Sequence, residues 1–213
     1  MRPAERRDQE RQELRRTILD TARRLFAERG YEQVTMRALA AEIGYSATTI
    51  YHHFPDKHAL LDGICTDTFA ALRDAAGEHL ATITDAVDRL RGIGRAYCRF
   101  ALAHPHHYRF MFMTRLEGEV LQRMLWKKEA ERGDPTRDGY ALLVQVVSGV
   151  DAAGRLHPRF RDHHLAAQVC WGGLHGILAL ELDKSSDPWV PWRPVQDRID
   201  AMLDALIDGI VTP

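Results

Sequence analysis

From Leu14 onward the apolar residues fall at Ile18, Ala22, Leu25 and Phe26, a spacing that keeps them on one face of a helix. Gly30 supplies a stop for that helix. Two very short helices are predicted next. Thr35 can N-cap the first, which runs to about Ile43, with Val34 and Leu39 placed to clasp its entry. Gly44 breaks it, and Ser46 can N-cap the second, with Tyr45 and Ile50 in the equivalent clasp positions. Helices this short are marginal in isolation and must draw their stability from packing. Short helix, glycine-containing turn, short helix is the pattern of a helix-turn-helix.

Pro55-Asp56 closes that unit, and Asp56 can cap a long helix from Lys57 to about Leu80. Further helices are predicted over about Asp85–Ala103, Pro105–Met113, Glu117–Arg132, Thr136–Ala153, Phe160–Leu182 and Val195–Ile210. A Pro- and Trp-rich loop, Ser185–Pro194, separates the last two. No stretch alternates with the period of a strand. The expected fold is all-α: a three-helix helix-turn-helix module with its N-terminal arm in residues 1–56, and a larger helical ligand-binding and dimerisation domain in 57–213.

Composition narrows the class. At 213 residues, 45% hydrophobic and 28% charged, the chain can bury a substantial core and is not a disordered or low-complexity scaffold. No apolar run reaches the roughly 18 residues of a membrane span, so no membrane partner is expected. The polar N-terminus lacks the apolar core of a secretory signal, which implies a cytoplasmic protein. Three scattered cysteines, Cys65, Cys98 and Cys170, suit neither a disulfide framework nor a paired-cysteine metal site. The histidines at 104, 106, 107, 163, 164 and 175 lack metal-ligand spacing, so no metal or cofactor is expected. Nor is there a nucleophile elbow or a phosphate-cradling glycine loop, and the protein reads as a non-enzyme. Net charge is −1, yet residues 1–60 carry 11 basic and 9 acidic side chains, and six arginines fall within the first 16 residues.

Inside Thr35–Lys57, Ala38, Leu39, Ile43, Ile50 and Phe54 can turn to a small core. That leaves Ala47, Thr48 and Thr49 exposed at the start of the second short helix, beside Tyr51 and His52 and just after Ser46. The second helix of such a motif enters the major groove, and its first residues touch base edges. Threonine hydroxyls can serve donor or acceptor edges, and their methyls can meet thymine. Thr35, Arg37, Tyr51 and Lys57 surround this surface with groups suited to phosphate, Lys57 in the first turn of its helix, where an anion is favoured.

Residues 15–62 resemble the DNA-binding domain of TetR-type transcriptional regulators. The likeness lies in the first helix ending AERGY, then TMRALAAEIG, SATTIYHHF and KHALL, in that order. It implies phosphate contacts from Thr35 and Arg37, base contacts from Ala47, Thr48 and Thr49, and a backbone grip from Tyr51, His52 and Lys57. The arginine-rich arm resembles arms that add DNA contacts in some members; read from its residues alone, it is equally a solvated extension of the first helix. Patches of 97–182, above all Trp171-Gly-Gly-Leu-His175-Gly176, resemble a C-terminal subclass carrying a Trp-x-x-x-His-Gly motif.

The resemblance implies a homodimer formed by the last two long helices, near 160–182 and 195–210, and a pocket for a small-molecule effector. The residues support both independently. Interior glycine costs about 1 kcal/mol against alanine, and Gly172 and Gly176 lie on one face, as a close helix approach would require. Tyr97, Phe100, Phe110, Met113, Trp126 and Trp171 suit a deformable apolar cavity, with His175 one turn beyond Trp171 as its polar member. The function expected is a ligand-responsive repressor that binds double-stranded DNA at a near-palindromic operator and is released by a small apolar or aromatic effector. A transcriptional activator, or a helical small-molecule binder whose helix-turn-helix no longer binds DNA, is the alternative.

Overall fold

The computed structural model describes residues 2–80, 82–114, 129 and 132–212. Among them the secondary structure is helical, apart from an isolated antiparallel bridge between Leu156 and Val211. The helices are α1 (Pro3–Arg29), α2 (Met36–Ile43), α3 (Ala47–His53), α4 (Lys57–Leu80), α5 (Ala86–Ala103), α6 (Pro105–Phe112), α7 (Gly139–Ala152), α8 (His163–Lys184) and α9 (Val195–Ile210). The helix expected over Glu117–Arg132 lies almost wholly outside the described residues.

The chain divides into two compact units, Met1–Phe69 with His106–Glu129, and Ala70–Pro105 with Ala130–Pro213. The first thus keeps the opening turns of α4 beyond residue 56. Its core gathers Ile18, Leu25 and Phe26 of α1, Leu39 of α2, Ile50 of α3, Phe54, and Leu60, Leu61 and Ile64 of α4. Local chemistry sets the boundaries of its short helices. The Thr35 hydroxyl accepts from the Ala38 N–H at 3.1 Å, and Gly44 ends α2 in the left-handed region at φ 74°. The Ser46 hydroxyl accepts from the Thr49 N–H at 3.1 Å, and an Asp56 carboxylate oxygen from the Ala59 N–H at 2.7 Å.

α1 starts far upstream of Leu14. Residues 5–13 are all exposed, and the helix there is held by local pairs such as Arg2 with Glu5 and Arg6 with Glu10, the latter at 3.3 Å. The arm is therefore an exposed continuation of α1. Further along, Arg23 is only 1% exposed and reaches Asp20 at 2.6 Å and Asp67 of α4 at 2.8 Å, pinning the start of α4 to α1 within this unit.

The second unit packs α5, α7, α8 and α9 around Leu90, Ala96, Val147, Ala166, Ala167, Ile207 and their neighbours. Glycine permits two close approaches. A Cβ on Gly94 of α5 would come within 2.7 Å of Leu203 and 3.0 Å of Leu174; one on Gly173 of α8 would meet Leu206 and Met202 of α9 at 3.2 Å. Arg95–Asp200 at 3.3 Å, Arg91–Asp204 and Arg198–Glu181 fasten the margins of α9. The apolar stripe of Val195–Ile210 is not free for a second copy as a whole: Ile199, Leu203, Ile207 and Ile210 are buried inside their own unit. A periodic stripe gives the direction of burial but not whose core receives it.

Candidate functional site

α3 is seven residues long, and its two faces differ sharply. Ile50 is fully buried, and Ala47 packs against the core of the first unit. Thr48, Tyr51 and His52 point outward, Tyr51 with 48% of its surface exposed. Thr49 is half-buried, and its hydroxyl lies 2.9 Å from that of Ser46, so the cap and the third residue after it form one small polar cluster. Thr35 and Arg37 are exposed at the start of α2. Of the expected DNA-facing set, Thr35, Arg37, Ser46, Thr48, Tyr51 and His52 therefore share the exposed surface of the module, while Ala47 and Thr49 sit at its inner edge.

Lys57 departs from the simplest expectation. Its ammonium lies 4.0 Å from the centre of the Tyr31 ring and 5.9 Å from that of Phe26, and donates to the Glu32 carbonyl at 3.4 Å. Partial burial lowers its pKa, opposed by the Glu32 carboxylate. The cation is held by the module's own aromatic rings at the start of α4. One exposed residue was missed by the sequence reading: Tyr45, taken for a hydrophobic clasp, is 49% exposed immediately before the Ser46 cap. The partnering clasp, Val34 with Leu39, is buried on both sides. A tyrosine in a clasp position just before α3 was the available signal, since its hydroxyl resists full burial.

Positive charge approaches the same module from α1. The Arg15 guanidinium stacks 4.4 Å from the Phe54 ring centre. Burial lowers the pKa of His53, helped by the nearby charges of Arg11, Arg15 and His52. Residues at the end of α3 thus sit in a positive field, as an anionic partner requires.

The expected effector residues separate. In the second unit, Trp171 Nε1 donates to the Tyr97 hydroxyl at 3.1 Å, and that hydroxyl lies 3.5 Å from His175 Nδ1. Burial lowers the pKa of His175, which favours its neutral form. Tyr140 extends the network: its ring lies 6.3 Å from Trp171, and its hydroxyl meets His164 Nδ1 at 3.1 Å and Gln168 Nε2 at 3.2 Å. Phe100 is buried nearby on α5, against His104 at 5.2 Å. Phe110 belongs elsewhere; it is 2% exposed in the core of the first unit, 6.1 Å from Phe26. Met113 is half-buried and follows α6 in that same unit, and Trp126 lies outside the described residues.

A surface groove of about 400 Å³ at the start of α5, lined by Thr82, Asp85, Asp88, Arg91 and Arg95 among others, is polar and includes none of the expected effector residues. Its charged walls contrast with the aromatic Tyr97–Trp171–His175 network. Among the described residues no group of three or more His, Cys, Asp or Glu side chains converges as a metal site would require.

Two family models match the chain. The family model for bacterial regulatory proteins, tetR family, matches residues 18–64, and that for the tetracyclin repressor-like C-terminal domain matches residues 90–208. The chain is 47% identical over 66 residues to the HTH-type transcriptional repressor Rv1474c of Mycobacterium tuberculosis, covering 30% of this chain and 35% of that protein. It is 35% identical over 103 residues to the HTH-type transcriptional repressor AcnR of Corynebacterium diphtheriae, covering 48% of this chain and 47% of that protein. The chain thus spans a third to a half of the length of these relatives. Its fold is similar to that of AibR in a crystal with isovaleryl coenzyme A and operator DNA, with TM-score 0.69 and 22% identity over 91% of this chain and 97% of that one.

Proposed function

Because the chain belongs to the tetR family of bacterial regulatory proteins, we propose that it is a DNA-binding transcriptional regulator, acting as a homodimeric repressor under the control of a small-molecule effector. The observation that carries this reading is the outward row Thr48, Tyr51 and His52 on the capped helix α3, within the residues that match the family's N-terminal model. Thr48 reads a base edge in the major groove, with Tyr45 and Ser46 at the groove wall. Thr35, Arg37, Tyr51 and His52 engage phosphate. Lys57, seated on Tyr31, supplies positive potential at the edge of the interface. Two copies related by a two-fold axis require a near-palindromic operator, with α3 helices about 34–36 Å apart or a multiple of that distance.

The effector binds at the Tyr97–Trp171–His175 network, flanked by Phe100 and Tyr140. Aromatic side chains beside a single imidazole favour a small, largely apolar or aromatic ligand with a single polar group. The Trp171, His175 and Gly176 positions also support membership of the Trp-x-x-x-His-Gly subclass. A ligand lowers DNA affinity only by preferring a conformation that binds operator poorly, and about 1–3 kcal/mol of such coupling changes affinity roughly 5–150-fold. α4 is one covalent path, since it runs continuously from the first unit into the second.

Selection of bound genomic fragments at about 150 mM salt, followed by sequencing, tests the reading. A two-fold symmetric motif is the expected result. Folded, dimeric protein that recovers no motif would assign the chain to the alternative in which the helix-turn-helix no longer binds DNA.

A further inference from the structure

The groove at the start of α5 has walls of two opposite charges, set out in order along the helix. Asp85 and Asp88 lie toward one end and Arg91 and Arg95 toward the other, with Thr82 and Thr84 of the preceding connection beside them. Gly92 lines the groove between the two sets and brings no side chain of its own. Positions 85, 88, 92 and 95 share one face of α5, which therefore carries acids, a gap and a base in sequence. At about 400 Å³ the groove has the size that takes a small molecule.

The fold does not use up the donors and acceptors at the two ends. Each arginine holds an aspartate of α9 through one nitrogen: Arg91 through Nη1 to Asp204, and Arg95 through Nη2 to Asp200 at 3.3 Å. A guanidinium carries five N–H groups in a planar fork, so both arginines retain donors for a second carboxylate. At the other end, the Asp85 carboxylate accepts the Val87 and Asp88 N–H groups, each at 2.9 Å. That cap occupies the end of α5, so the helix terminus is not the site. The Asp88 carboxylate is exposed and has no hydrogen-bond or ion-pair partner among the described residues.

Charge decides what fits. The groove is lined by two acidic and two basic side chains, a balanced set. A simple anion would meet arginines partly neutralised by Asp200 and Asp204 and would also face Asp88. A simple cation would find Asp88 but face the arginines. A molecule carrying both charges is attracted at each end. Asp88 precedes Arg91 and Arg95 by about 4.5 and 10.5 Å along the axis at 1.5 Å per residue. The ligand's charges must therefore lie several ångströms apart, as they do on an ω-amino acid.

We propose that this groove binds a small zwitterion of the ω-amino acid type, its ammonium on Asp88 and its carboxylate across Arg91 and Arg95. The site shares no residue with the Tyr97–Trp171–His175 network, and it stands whether or not that network takes an effector.

Titration of the full-length, nitrogen-15-labelled chain by NMR tests this with 6-aminohexanoate, hexanoate and hexylammonium at constant ionic strength. Saturable shifts of the Asp88 and Gly92 amide peaks are expected with 6-aminohexanoate. Each singly charged probe should bind at least about tenfold more weakly. Asp88→Asn should reduce the affinity for 6-aminohexanoate to that of hexanoate, and Arg95→Gln should reduce it toward that of hexylammonium. Asp88 and Arg95 are both exposed, so the fold is expected to hold, and unmoved amide peaks away from the groove verify it. Equal binding of hexanoate and 6-aminohexanoate, or wild-type affinity in Asp88→Asn, overturns the place of the ammonium and with it the proposal. Wild-type affinity in Arg95→Gln does the same for the carboxylate. No saturable shift with 6-aminohexanoate at millimolar concentration overturns the site itself.

Discussion

Ser46 offers the sharpest test of how local structure supports recognition. Its hydroxyl accepts from the Thr49 N–H at 3.1 Å and contacts the Thr49 hydroxyl at 2.9 Å, at the start of a helix of only seven residues. Ser46→Ala removes both contacts. An N-cap of this type contributes about 1 kcal/mol, which lowers the melting temperature of a chain this size by about 2–4 °C. The same loss limits the fall in DNA affinity to about fivefold per subunit, a ceiling reached when α3 of the variant is disordered in the free protein. Ser46→Asp separates the two roles. Aspartate caps as well as serine, so the melting temperature is expected to hold. Its carboxylate, however, stands exposed where phosphate or a base edge approaches, and operator affinity is expected to fall further than in the alanine variant. Thermal melts and fluorescence-anisotropy titrations on one duplex give both quantities. Unchanged melting of Ser46→Ala would show that the cap does not support α3. Full operator affinity in Ser46→Asp would remove α3 from the DNA interface.

Three further outcomes are expected. Thr48→Ala should relax base preference at one or two operator positions in a randomised-site selection; an identical motif would show that Thr48 reads no base. Arg37→Ala should weaken binding on all sequences alike and flatten the salt dependence of log Kd by about one unit, and an unchanged slope would exclude a phosphate contact. His175 has a folded pKa lowered by burial, so its contribution to stability is complete above the unfolded value of about 6.5 and is lost as pH falls toward the folded value. Wild type should therefore lose more stability than His175→Gln between pH 7.5 and pH 5.5 in urea titrations, and parallel losses would count against a neutral buried imidazole.

The features that local chemistry decides were legible along the chain. Thr35, Ser46 and Asp56 cap the helices they precede, and Gly44 ends α2, because each acts on backbone groups within a few residues. The apolar spacing from Leu14 to Phe26 placed the buried face of α1 correctly for the same reason. The arm before Leu14 was left open between two readings, since it has no apolar face and its helix rests on exposed local ion pairs.

Other assignments depended on how helices turn about their own axes once packed. Three glycines fall within five residues of α8, and only the position of α9 decides that Gly173 is the inward one while Gly172 and Gly176 stay open. Lys57 sits in the first turn of its helix as expected, but the aromatic ring that holds its ammonium comes from Tyr31, on the connection between α1 and α2. Phe110 was grouped with Tyr97 and Trp171 by residue type, yet tertiary contacts give it to the core around Phe26. Apolar character specifies that a side chain is buried; which neighbours bury it is settled by contacts between residues far apart in the chain. The caps, breaks and helical faces of this protein were therefore written in its sequence, whereas the division of its aromatic residues and glycines among the two cores, the Tyr97–Trp171–His175 network and the open surface was decided only when the helices packed.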